Sequence, residues 1–396
     1  MTSAHASSPQ VFGSSTMSIL LALTATVAAC FTAACGGGMS ASMPAPGPSC
    51  VPSSTPEFAY VLTGYAVSMF TIDSCTGDLT PTMPATIPTG MPQPAIDAEQ
   101  MVADPIGRFV YVANMISNAV DAATISMYTI NPSTGVLTPT TPATVPTGFL
   151  PQGIAIDPFG KFVYTANSDD NTVSMFTINS ATGILTPTVP PVVPAGWSPL
   201  SVTVHPSGKF AYAANQDDDT VSMYTVNSLT GVLTPMTPAT VSTGASPFGV
   251  TVDPSGRFAY VPNAYDPNNT VSQYTIDSAT GVLTPNMPSE VNAGIQPTSV
   301  AVDPSSRFAY VTNRADDTVS MFTINPSTGN LTSNGTVPTG GEPFRILVDP
   351  SGKFVYVANE ASPVSFYTIN SDGALTAPGV AEATTTALSV AVTVTK

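Results

Sequence analysis

VDPSSRFAYVTNRADDTVSMFTINPSTG, residues 302–329, decides the fold. Its anchor is the triplet Phe308-Ala309-Tyr310. The same Phe-(Ala/Val)-Tyr triplet starts at Phe58, Phe109, Phe162, Phe210, Phe258 and Phe354, so seven copies follow one another at spacings of 51, 53, 48, 48, 50 and 46 residues. A period of this length marks a repeat architecture in which each unit buries its faces against its neighbours.

Each unit divides into four short strands. Strand A is the apolar trio before Asp-Pro, as in Ile154-Ala155-Ile156. Asp-Pro-x-Gly then makes a tight turn, with Pro presetting φ and Gly closing it. Strand B is Phe-x-Tyr-x-x-Asn. An acidic loop leads to strand C, Val-Ser-Met-Phe-Thr-Ile in the quoted unit, which is apolar on both faces. Asn/Asp-x-x-Thr-Gly follows, a bulged hairpin turn with Gly in the left-handed position. Strand D, as in Leu137 to Pro146, carries three prolines. Proline is tolerated only at a sheet edge, where the missing N–H faces solvent. The unit is therefore a four-stranded antiparallel sheet with D outermost and both faces covered. Seven such sheets arranged radially make an all-β, seven-bladed β-propeller.

The first unit has strands B, C and D but nothing before them that reads as A. Ser389-Val390-Ala391-Val392-Thr393 at the other end matches Ser299-Val300-Ala301-Val302-Asp303. The last strand is thus expected to complete the first blade and close the ring. Deletion of residues 387–396 is expected to abolish folding.

Composition narrows the function. Of 396 residues, 43% are hydrophobic and only 9% charged, with 9 Lys and Arg against 25 Asp and Glu, a net charge of −16 and a pI near 4.1. Nucleic-acid binding is excluded, because phosphate backbones are met by clustered Lys and Arg. An electrostatic hold on anionic membranes is excluded for the same reason. Disorder is excluded by the high apolar fraction.

Met17 to Ala34 is an apolar run ending in small residues and followed by Cys35-Gly36-Gly37-Gly38. It reads as the apolar region of an export signal spanning residues 1–35. Cys35 after Ala-Ala is similar to a lipoprotein cleavage box, with Cys30 as the alternative, and residues 36–55 make a flexible tether to a propeller spanning 56–396. Residues 1–16 contain no Lys or Arg. Met17 as the start and an uncleaved membrane anchor both stay open. The expected location is extracytoplasmic, in a bacterial cell envelope, lipid-anchored or secreted, with the membrane reached only through the lipid. Cys50 and Cys75 are a candidate disulfide in such an oxidising compartment, two free thiols being the alternative.

Tyr310-Val311-Thr312-Asn313 spells YVTN, and the unit resembles the YVTN repeat of bacterial and archaeal surface propellers. Seven units of this type, over about residues 56–396, also resemble the seven-bladed lactonase family, which includes 6-phosphogluconolactonase-like and carboxymuconate-cyclase-like proteins. The resemblance implies the fold and leaves several activities open, since one propeller scaffold hosts many.

In an A-B-C-D meander the A–B and C–D turns share one end, and the B–C and D–A connections share the other. Six of the nine basic residues (Arg108, Lys161, Lys209, Arg257, Arg307 and Lys353) occupy one slot before the repeated Phe, at the turn end. Arg314 and Arg345 are out of pattern and fall near the opposite, loop end. Arg314 after Asn313 is similar to the Asn-Arg of lactonase-like chains, and Glu360 after Asn359 to an Asn-Glu found there. Gly341-Glu342-Pro343-Phe344-Arg345 resembles the family's Gly-x-x-Pro-Arg with Arg one place late. The resemblance implies Arg314, Arg345 and Glu360 as catalytic candidates, able to bind a carboxylate or phosphate and move a proton. The family's Pro-Arg-His and Pro-His elements are missing, for Gln152, Leu200, Phe248 and Thr298 stand after the corresponding prolines.

His205 replaces the Asp of an Asp-Pro turn and reads as a turn variant at the turn end. As the one histidine after cleavage, it leaves no His-based metal site. The B–C loops carry Asp121, Asp169, Asp170, Asp217, Asp218, Asp219, Asp266, Asp316 and Asp317. They fit either a Ca²⁺ or basic-partner site or hairpin chemistry plus solubility, and the latter is preferred; no cofactor is expected. Phe149, Trp197 and Phe344 in the D–A loops are candidate recognition aromatics or inter-blade packing. The sequence places a monomeric surface module, binding an unknown protein or small molecule through its acidic, aromatic-dotted face, ahead of a lactone-hydrolysing carboxylic ester hydrolase.

Overall fold

Short apolar segments separated by Asx, Pro and Gly turns give seven four-stranded antiparallel sheets, each in the order A-B-C-D from the inside outward. The computed structural model describes residues 50, 53, 55–89, 98–115, 123–264, 269–377 and 387–394, and among these there is no helix. The expected export signal, Cys30 and Cys35, the tether up to residue 49, and Asp121 and Asp266 lie outside the described residues.

Blade 6 is representative, with strands Pro297–Val302, Phe308–Asn313, Thr318–Ile324 and Leu331–Pro338. Strand A is longer than the sequence suggests, because the chain already pairs from the proline, Pro297 opposite Asn313, before a bulge before Ser299. Strand B is buried throughout, and strand D is largely exposed after its buried first residue, Leu331. Blade 5 keeps only Thr251–Val252 of its strand A, plus a lone bridge from Pro247 to Asn263.

The blades lock by one device used seven times. The strand B tyrosine is buried and donates its hydroxyl to the C–D turn glycine carbonyl of the next blade, as Tyr260 does to Gly329 at 2.8 Å. That glycine has φ +74°, and a Cβ there would lie 2.2 Å from the Phe258 ring. The repeated Phe and the repeated Gly are thus two halves of one contact across the seam, and only glycine satisfies both backbone and space. The basic slot reinforces it. Arg257 lies over its own Phe258 ring at 4.9 Å and donates to the Pro326 carbonyl of the next blade at 2.9 Å; Arg307 does the same over Phe308 and to Ser371.

In the Asp-Pro turns a buried carboxylate accepts two backbone amides, as Asp303 Oδ1 does from Arg307 at 2.7 Å and Phe308 at 2.6 Å. His205 substitutes in blade 4. Its Nδ1 meets Ser207 Oγ, and its Nε2 meets the Gly256 carbonyl, both at 2.8 Å.

The C-terminal strand Ser389–Val394 pairs with Glu57–Thr63 and completes blade 1. Cys50 and Cys75 are joined by a disulfide, which fastens the segment leading into the propeller to the C–D turn of that blade. Blade 1 also breaks the basic slot, because Glu57 stands there. Glu57 is 9% exposed, and among the described residues its Oε2 has no hydrogen-bond partner. Burial first, then nearby Asp349, push its carboxyl above the usual range, and Lys353 pulls it down.

Candidate functional site

The loop end is built on the asparagine that closes strand B. Asn313 is fully buried, and its Nδ2 donates to Thr318 Oγ1 and Ser320 Oγ, both at 2.9 Å. Its Oδ1 accepts the amide of Gly294 in the preceding D–A loop at 3.0 Å. The Asn of the YVTN signature is thus a brace between two strands and a loop. It fixes the residue that follows it. The Arg314 amide donates to the Gln296 carbonyl at 2.9 Å, and the Glu360 amide to the Glu342 carbonyl at 3.0 Å.

Arg314 and Glu360 therefore hold the same slot in blades 6 and 7, which are neighbours in the ring. Their side chains meet, Arg314 Nη2 to Glu360 Oε2, at 2.5 Å. Glu342, in the loop between the two blades, reaches the same Nη2 at 3.2 Å. The exposures are 33% for Arg314, 22% for Glu360 and 53% for Glu342. Burial pushes the Glu360 carboxyl above its ordinary range; Arg314 pulls it back and Glu342 pushes it further up. A partly buried carboxylate raised in this way holds a proton more readily than a solvated one.

Phe344 and Arg345 continue the cluster inward. The strand A register of blade 7 shifts between Pro343 and Arg345, so Phe344 is the bulged residue. It is 6% exposed and meets Phe248 edge to face at 5.3 Å between ring centroids. Thr298 holds the equivalent slot in the blade between them and donates to the Phe344 carbonyl at 3.0 Å. Phe344 is therefore a packed platform, the inter-blade packing that the sequence left open beside exposure at the rim. Both guanidiniums lie against it, Arg314 at 5.8 Å and Arg345 at 5.1 Å from its centroid, and Arg345 is also 5.9 Å from Phe248.

Arg345 lines the central channel, a cavity of ≈ 370 Å³ walled by strand A residues of all seven blades. Gln100, Ser201, Thr251, Thr298 and Ser389 supply polar groups, and Arg345 is the one charged side chain among the described lining residues. The three candidates thus form a chain of contacts from rim to channel. Glu360 and Arg314 are paired, and Phe344 joins Arg314 to Arg345. The sequence reading had no signal for Glu342 or for the Phe248–Phe344 pair, both of which depend on loops meeting across blades.

The acidic loops make backbone contacts in the described residues. Asp170 Oδ2 accepts the Phe149 amide and Asp218 Oδ2 the Trp197 amide, both at 2.7 Å, and Asp316 Oδ2 the Ile295 amide at 2.6 Å. Asp219 and Asp317 reach forward to the next loop, accepting the Ser246 amide at 2.7 Å and the Glu342 amide at 2.8 Å. These five carboxylates brace the D–A loops. Asp169 and Asp217 are exposed. Among the described residues no group of three or more His, Cys, Asp or Glu could hold a metal ion. Phe149 is 46% exposed and Trp197 66%, on loops fixed by these bonds.

A closed wheel of seven such blades, with a charged cluster at one mouth of its channel, defines the class of protein. The chain belongs to the lactonase family of seven-bladed β-propellers, which it matches over residues 51–198, 198–293 and 284–391. It is similar in fold to the periplasmic gluconolactonase PpgL of Pseudomonas aeruginosa, at 19% identity and a TM-score of 0.67, covering 86% of this chain and 99% of that one. It is likewise similar to a Bacteroides fragilis protein proposed to be a 6-phosphogluconolactonase, at 20% identity and a TM-score of 0.69, covering 86% and 98%. No curated protein sequence matches it.

Proposed function

We propose that the protein hydrolyses a lactone at the loop-end mouth of its channel. The observation that carries this reading is the Arg314–Glu360 pair, linked through the Phe344 ring to Arg345 in the channel wall. Family membership supports it over the pure binding module that the sequence placed first.

Glu360 takes a proton from water as the water oxygen attacks the lactone carbonyl carbon. The negative charge that develops on the carbonyl oxygen is met by the Arg345 guanidinium. The ring C–O bond then breaks, and the leaving alkoxide receives the proton held by Glu360. The product is the open-chain hydroxy acid. Arg314 positions Glu360, and the Phe344 ring holds the two cations in a fixed relation.

Acid release from glucono-δ-lactone, measured above the spontaneous rate, tests this. The reading expects turnover that falls at least tenfold in Arg345→Ala. Turnover absent from the wild type sinks it.

The exported, lipid-anchored, monomeric state is part of the proposal. Its supports are the Met17–Ala34 run with Cys35, or Cys30 as the alternative, and a Cys50–Cys75 disulfide of the kind that persists in oxidising compartments. Proline-laden outer strands disfavour edge-to-edge association. Exposed Phe149 and Trp197 support a second role, contact with a partner at the same rim.

A further inference from the structure

We propose that Glu342 is a specificity residue that excludes phosphorylated substrates, so that the lactone taken by this site is uncharged. The inference rests on the hydrolase reading and narrows it to a substrate class.

Glu342 follows Gly341 in the loop before strand A of blade 7, with φ +54°. The corresponding loop position is also left-handed in four other blades, where it is Leu150, Ser198, Ser246 and Gln296. None of those residues is charged. A carboxylate stands at this position only in the described loop that faces Arg314. The loop is fixed on both sides of it, since the Glu342 amide is held by Asp317 and its carbonyl accepts the Glu360 amide. The side chain of Glu342 is thus delivered to the Arg314 guanidinium, which already carries Glu360.

The consequence is electrostatic. Two carboxylates, Glu342 and Glu360, both reach Arg314, and Arg345 is the one charged side chain among the described residues that line the channel. A phosphate ester brings close to two negative charges at neutral pH. It would meet Arg314 already neutralised, with like charge from Glu342 and Glu360 beside it and from Asp316 and Asp317 in the adjoining loop. A neutral sugar lactone meets no such repulsion, and the hydroxyl and amide groups of Gln100, Ser201 and Thr251 suit its hydroxyls.

The experiment compares kcat/KM for glucono-δ-lactone and 6-phosphoglucono-δ-lactone in the wild type, Glu342→Gln and Glu342→Ser. Serine already occupies this position in two other loops, which guards against misfolding. The wild type is expected to favour the neutral lactone at least tenfold. Both variants are expected to narrow that ratio at least fivefold, chiefly by lowering KM for the phosphorylated substrate. A wild type that prefers the phosphorylated lactone, or variants that leave the ratio unchanged, overturn the inference while hydrolysis stands. Turnover of neither lactone overturns both.

Discussion

The hydroxyl of Tyr356 donates to the carbonyl of Gly77 at 2.9 Å, across 279 residues of chain. The bond is the same one that Tyr164 makes to Gly231 between consecutive blades, at 2.8 Å. The ring closes with the contact that builds it. Tyr356→Phe leaves a buried carbonyl unpaired and is expected to cost about 1–3 kcal/mol. Tyr164→Phe should cost about the same. Denaturant unfolding of the two variants checks this, and a negligible effect at Tyr356 alone would mean that the closing seam is not equivalent to the others.

Glycine at the seam is required twice over. Gly329→Ala puts a methyl 2.2 Å from the Phe258 ring at φ +74°, whereas Gly335, at φ +91°, has Met321 Cε as its nearest neighbour at 3.8 Å. Gly335→Ala is expected to cost about 1–2 kcal/mol of backbone strain. Gly329→Ala should lose a further 1–3 kcal/mol or so through overpacking. Paired thermal melts separate strain from crowding.

Glu57 makes stability pH-dependent. Folding raises its carboxyl pKa, so its contribution is intact while it is protonated, below its ordinary range, and is lost as pH rises through the raised value. Glu57→Gln, which never ionises, should melt higher than the wild type at pH 8, by about 1–3 °C. The gap should close toward pH 4. Melts across that range that show a constant difference would contradict the burial of the charge.

The acid limb of the rate profile reports Glu360. Glu342 raises its pKa and Arg314 lowers it. Glu342→Gln should therefore move the limb of kcat/KM to lower pH, and Arg314→Gln to higher pH. Shifts in one direction for both variants would remove Glu360 as the titrating base.

Much of the fold was legible because each device is local and repeated. The Asp-Pro turn, the Phe-x-Tyr strand, the Asn-x-x-Thr-Gly hairpin and the proline-laden edge each carry their own signal, and the unmatched terminal strand announced the closure. The site was legible only in part. Arg314 and Glu360 each follow the strand B asparagine, so equal slots in neighbouring blades bring them together. Glu342 has no such signal, because its role comes from a loop that is ordinary in sequence being held against the adjoining blade. For Phe344 the sequence left rim exposure and inter-blade packing both open, and a bulge invisible in the sequence turns it into the packing beside Phe248. The loop acids looked available because their partners are backbone amides about twenty residues away.

In the proposed hydrolysis Glu360 performs the proton transfer. The direct test is kcat for glucono-δ-lactone in Glu360→Gln, corrected for spontaneous hydrolysis, alongside its melting temperature. A fall of about 10²–10⁴-fold is expected in a variant that folds like the wild type. An unchanged kcat in a folded Glu360→Gln protein would contradict it.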